Sequence, residues 1–152
     1  MKIGGQEVGA PEDVLVLPRT PEPVVFRARG LSDFSRFEEL VPRPQMPKKQ
    51  VKGGKVVDDS DAPAYVAAME MYNQKKLAYL VIESLAPSEI EWQTIEADKP
   101  STWVNWTTEL KEAGFTDIEC NRILNLVLGA NCLDEDKLKA ARESFLHGRP
   151  KD

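Results

Sequence analysis

The chain has 152 residues, a formal net charge of −5, 41% apolar and 30% charged residues, two cysteines and one histidine. That length supplies one domain, or one small domain with an appendage, and one real core. The acidic balance argues against general nucleic-acid binding, which draws on clustered Lys and Arg, and Cys120 with Cys132 is too few for a disulfide scaffold in a small secreted chain.

Both cysteines read as small core residues in a reducing cytoplasm. Met1 is followed by Lys2, Gly4 and Gly5 and not by an apolar run, so no signal peptide is expected. The longest apolar run, Leu77 to Ile82, is too short to span a bilayer. The expected setting is a cytoplasm, or a particle assembled in one, with no membrane partner.

Residues 1–12 are Gly-rich and polar and are expected to be loosely held. Val14–Leu17 and Val24–Arg29, separated by Pro18, Pro21 and Pro23, read as two short antiparallel strands. Alternation places Phe26 and Ala28 inward and Arg27 and Arg29 in water. A lone hairpin is marginal, so it needs a cover. The short helix that follows, capped by Ser32 or Asp33 and stopped by Pro42, carries Phe34, Phe37, Leu40 and Val41 on one side and is the expected cover.

Residues 42–60 change character. Pro42, Pro44 and Pro47 favour extended backbone, and Arg43, Lys48, Lys49, Lys52 and Lys55 form a basic block before Asp58, Asp59 and Asp61 reverse the sign. The segment reads as a solvated loop or a β-arm turning at Gly53-Gly54. Lys48, Lys49 and Lys52 are candidates for gripping a partner, or for folding back on the chain's own acidic stretch.

A long helix is expected from Asp61 to about Leu85, with Pro63 tolerated in its first turn. Tyr65, Ala68, Met69, Tyr72, Lys76 and Tyr79 trace one stripe; Met71, Ala78, Val81, Ile82 and Leu85 trace another. So wide an apolar surface makes the central post of a core, or an interface with a second copy. Met69, Met71, Tyr72 and Tyr79 are accordingly partner-binding candidates. Residues 88–100 are acidic and irregular, with Ile90, Trp92 and Ile95 reading as a brief extended piece.

Ser101 to Arg149 is tightly punctuated into three short helices. Thr102 caps the first, which stops at Gly114; Thr116 and Glu119 have capping-box spacing for the second; Asp134 caps the third, which Gly148 ends. Trp103 and Trp106 share a face with Leu110, as core or as exposed interface anchors. Ile118, Ile123, Leu124, Val127 and Leu128 form the apolar face of the second helix, continued on the third by Leu133, Leu138, Ala141, Phe145 and Leu146. The fold class that results is mainly α with a small N-terminal β-hairpin (α+β), its C-terminal unit of three short helices packed on one long helix. The segments are 1–41, 42–60 and 61–152.

Reaction chemistry is hard to find. His147, at a helix end, reads as a dipole partner. Gly53-Gly54 lacks P-loop spacing, and Asp58, Asp59 and Asp61 lack the EF-hand pattern. Asp134, Glu135 and Asp136 are explained by a helix N-terminus. Lys137, Lys139 and Arg142 are balanced by Asp134, Glu135, Asp136 and Glu143, without the basic surplus of a DNA-reading helix. The expectation is no catalytic residue, no metal and no cofactor.

The run Leu110-Lys-Glu-Ala-Gly-Phe-Thr-Asp-Ile-Glu-Cys-Asn-Arg-Ile-Leu-Asn, followed by Gly129-Ala-Asn-Cys-Leu-Asp-Glu-Asp-Lys-Leu, resembles the C-terminal helical part of tail assembly chaperones of long-tailed bacteriophages. Val24 to Val41 resembles their front part more loosely. The resemblance implies a non-enzymatic chaperone in the host cell cytoplasm. Such a protein coats the long, helical tape-measure protein until tail-tube subunits displace it. Two other readings stay open. One is a structural subunit of the tail or head-tail region, with the arm lying along a neighbour. The other is a small acidic inhibitor of a host protein, acting through Glu89, Glu91 and Glu96.

Overall fold

A computed structural model of the chain describes residues 1–148; Arg149, the last residue of the punctuated stretch, lies outside the described residues. The first segment forms a small turn whose residues are all exposed. Strands β1 (Lys2–Ile3) and β2 (Gln6–Glu7) pair around Gly4 and Gly5, whose φ angles of +58° and +83° suit a tight turn that residues with a Cβ adopt only with strain. The chain then enters the expected hairpin, β3 (Glu12–Leu17) against β4 (Val24–Arg29), antiparallel from Glu12 opposite Arg29 to Leu17 opposite Val24. Leu17, Phe26 and Ala28 are buried and Arg27 and Arg29 are exposed, as the alternation requires.

The cover for this hairpin is not the helix that follows it. α1 (Ser35–Leu40) is short, and its one buried residue, Phe37, packs among Tyr72, Tyr79 and Trp103 with ring centroids 5.2, 5.7 and 6.3 Å away. The hairpin is covered by a later helix, α5 (Asp117–Ala130), and flanked by a 3₁₀ turn at Ala86–Ser88. A helix of under two turns has too little face to serve two purposes, and the aromatic cluster takes it.

The arm forms strands β5 (Lys48–Gln50) and β6 (Val56–Asp58), which pack principally on each other. α2 (Pro63–Ser84) is the long helix, with Pro63 in its first turn. Its C-terminal half supplies Ala78, Tyr79, Leu80 and Val81 to the core. Residues 89–99 contain no strand: Ile90, Trp92 and Ile95 are half-buried on the core from irregular backbone. Glu109 replaces strand pairing there, its carboxylate accepting from Gln93 N–H (2.6 Å), Thr94 N–H (3.2 Å) and the Thr94 hydroxyl (2.7 Å).

The first expected tail helix is broken into α3 (Pro100–Trp103) and α4 (Trp106–Glu112). Asn105 N–H closes a tight turn onto Thr102 C=O. Thr102 is not an N-cap: its hydroxyl donates to Lys99 C=O (2.7 Å) and accepts from Glu96 N–H (3.0 Å). Gly114 ends α4 at φ +103°, and α5 opens with the expected capping box, Thr116 and Glu119 each satisfying the other's backbone N–H. Ile118, expected on the apolar face of α5, is exposed, whereas Ile123 and Val127 are fully buried. Cys120 is buried, but Cys132 is exposed at φ +57° in the turn after α5, so it is not a core residue.

α6 (Glu135–His147) is capped by Asp134, which accepts from Lys137 N–H at 3.2 Å. It departs from the expected packing, since it contributes no buried residue. One core unites segments 1–41 and 61–130, from Leu17 to Ala130. Gly30 packs closely at its edge, where an added Cβ would sit 2.6 Å from Ala130 O and 2.9 Å from Pro11 Cγ. No described helix is long and apolar enough to cross a membrane.

Candidate interaction surfaces

The residues singled out from the sequence divide by burial. Tyr72, Tyr79, Trp103 and Trp106 are all at most 8% exposed, so the core seals them away from any partner. Tyr79 and Trp103 lie 5.3 Å apart between ring centroids, and burial raises the Tyr79 phenol above its ordinary pKa. Tyr72 and Tyr79 pack against Phe37 of α1, and Tyr79 also against Trp103 of α3.

Met69 and Met71 fare differently. Met71 is 58% exposed. Met69 is half-buried beside Tyr65, Val66, Asn73 and Leu77 in a shallow groove of about 650 Å³ on the N-terminal half of α2. Val66 and Leu77 are also exposed. The post is therefore sunk into the core at one end only.

The arm pairs two of its five cations with its own aspartates. Lys48 pairs with Asp58 across the strands, and Lys49 reaches Asp59 at 3.5 Å. The fold-back is thus onto the arm's own aspartates and not onto a distant acidic stretch. The side chains of Lys52 and Lys55, at the tip, have no hydrogen bond or ion pair among the described residues.

α6 presents Leu138, Phe145 and Leu146 to solvent at 44%, 60% and 53% exposure, and Leu133 before it is 56% exposed. A long tether holds it: Lys137 Nζ donates to Asp13 at 2.9 Å, which together with the Val14 N–H holds the Asp13 carboxyl below the ordinary range. A surface helix normally turns such a stripe to the core. Here Leu133, Leu138 and Leu146, like Val66 and Met71 on α2, keep much of their apolar surface exposed.

Compared with protein-family models, curated proteins and solved structures, the chain has no match in any of the three.

One surface was not foreseen from the sequence. Between β4, residues 88–93 and α4 lies a groove of about 350 Å³, lined by Val25, Ile90, Trp92, Leu110, Ala113 and Phe115 and by three carboxylates, Glu91, Glu109 and Glu112. Burial pushes the Glu109 carboxyl up, but the donors from Gln93 and Thr94 outweigh it and hold the group ionised below its ordinary value. The signal for this groove was the half-apolar pattern Ile90-Glu-Trp92, which needs a floor but has no strand partner. Among the described residues no cluster of three or more His, Cys, Asp or Glu is placed to hold a metal ion.

Proposed function

We propose that this chain is a tail assembly chaperone of a long-tailed bacteriophage. It binds a helical, apolar client, the tape-measure protein, in the host cytoplasm and keeps it soluble until tail-tube subunits replace it. The observation that carries the reading is α6, an amphipathic helix of 13 residues, none of which is buried in the core. Leu138 and Leu146 on α6, with Met71 and Val66 on α2, offer apolar surface for many weak contacts. Methionine tolerates varied neighbours, and a holdase that must release its client favours modest, separable contacts. The likeness of residues 110–138 to the helical part of that family supports the same reading.

Co-expression with the tape-measure protein tests it. The expected result is a soluble complex on a sizing column. A client that stays insoluble beside this protein, with no shared peak, sinks the proposal. Leu138→Glu with Leu146→Glu should abolish the complex while changing unfolding free energy by under about 0.5 kcal/mol, as surface substitutions do.

A second reading is favoured by one observation, the self-contained arm of β5 and β6, which suits a structural subunit that reaches along its neighbour. Mass spectrometry of purified virions separates the two. A chaperone is absent from the finished particle, and a subunit is present at fixed stoichiometry.

A further inference from the structure

Backbone parity along β4 leaves one edge open. Gly30 N–H donates to Pro11 C=O at 2.9 Å just past the strand, so Val24, Phe26 and Ala28 aim their N–H and C=O groups at β3. Val25 and Arg27 aim theirs at the opposite edge. At Arg27 that edge is closed by Ser88, whose hydroxyl accepts from Arg27 N–H and donates to Arg27 C=O, both at 2.7 Å. One hydroxyl thus stands in for a neighbouring strand. The chain then turns away through Glu89, which is left-handed at φ +54°. Val25 N–H and C=O, two residues along, have no hydrogen-bond partner among the described residues, and Val25 lines the groove.

The groove's chemistry narrows what fits. Ile90, Trp92 and Phe115 give it an apolar trough, and its lining holds three carboxylates but no Lys or Arg. Glu109 is committed to residues 93 and 94. The carboxylates of Glu91 and Glu112 are exposed and have no hydrogen bond or ion pair among the described residues. The chain's own basic arm is held away: α2 separates the arm's root from Ser84 by roughly 30 Å at 1.5 Å per residue over its 22 residues.

We propose that this groove binds an extended segment of a partner protein as an added β-strand beside β4. Val25 supplies the backbone donor and acceptor, the trough takes an apolar side chain, and Glu91 and Glu112 take flanking Lys or Arg. A free edge pair beside an apolar pocket is what strand addition requires: main-chain bonds give affinity and pockets for alternate side chains give specificity. The groove lies apart from the α2 and α6 faces, so its fate and that of the helical-client reading are decided separately.

The probe is the peptide acetyl-Lys-Val-Thr-Val-Lys-amide, titrated into the full chain and followed by backbone amide NMR. Expected are saturable shifts centred on Val25, Glu91 and Glu112, and at least tenfold weaker binding when Glu replaces both peptide lysines. Two peptides N-methylated at alternate residues give the strand signature: the pattern that blocks the β4-facing edge abolishes binding, and the other does not. Glu91→Lys with Glu112→Lys, two exposed side chains that the fold does not use, should weaken binding at least tenfold. Equal binding by both N-methylated peptides overturns the proposal, as do shifts centred on α2 or α6, or an unchanged double variant. It is also overturned if the protein is an oligomer that Lys52→Glu with Lys55→Glu dissociates and only that variant binds peptide, because the groove then belongs to a second copy's arm.

Discussion

Asn131 joins three segments through one side chain. Its Oδ1 accepts from Leu31 N–H, and its Nδ2 donates to Ser84 Oγ and to Val127 C=O, each at 2.8 Å. Ser84 is fully buried, so no water is at hand to replace that donor. Asn131→Ala is expected to cost about 1–3 kcal/mol for a buried group left unsatisfied, read as a lower urea midpoint with unchanged slope. Glu119 is a second such point. Arg19 donates to both its oxygens, at 2.8 and 2.7 Å, and also lies over the Phe115 ring at 5.0 Å. The Arg19 guanidinium first, and then Thr116 N–H, hold the Glu119 carboxyl down at about 2, against an ordinary 4.5. A depressed carboxyl stabilises the fold fully above its unfolded value and loses that contribution as pH falls. Stability should therefore decline between about pH 4.5 and 2, and Glu119→Gln should flatten that part of the profile. An identical slope in wild type and variant would show the pair to be irrelevant.

At the scale of elements, size decides which apolar stripes find a partner. α1 offers one fully buried side chain, Phe37, and aims it into a ring of aromatics. Phe37→Ala should cost about 3–5 kcal/mol by urea unfolding, the usual range for a fully buried aromatic. α6 is the opposite case, a longer helix whose stripe meets no core. The sequence made β3, β4, α2, α5 and α6 legible through alternation, capping residues and Gly stops, since these signals act within a few residues. It did not reveal the break at Val104–Asn105 or the exposure of Ile118 and Leu138. Periodicity says that a face is apolar, and only the finished arrangement says whether anything stands opposite.

For the whole molecule the same limit applies to the interaction surfaces. Four of the nine singled-out residues, Tyr72, Tyr79, Trp103 and Trp106, are sealed in the core, because an aromatic stripe suited to a partner is equally suited to α1 and α3. Lys48 and Lys49 are tied within the arm, and Met69, Met71 and Lys52 remain accessible to a partner. The groove beside β4 was illegible because its walls come from segments more than 60 residues apart, as Arg27 and Ser88 are. The pins that dock the hairpin reach farther still: Arg19 to Glu119 and Leu31 to Asn131 each span 100 positions. During synthesis, then, the hairpin emerges early and waits for its cover. At bacterial-to-eukaryotic translation speeds of about 5–20 residues per second, that wait is roughly 5–20 s. For that interval the nascent chain carries Leu17 and Phe26 uncovered, and is itself a passenger in need of shelter on the ribosome.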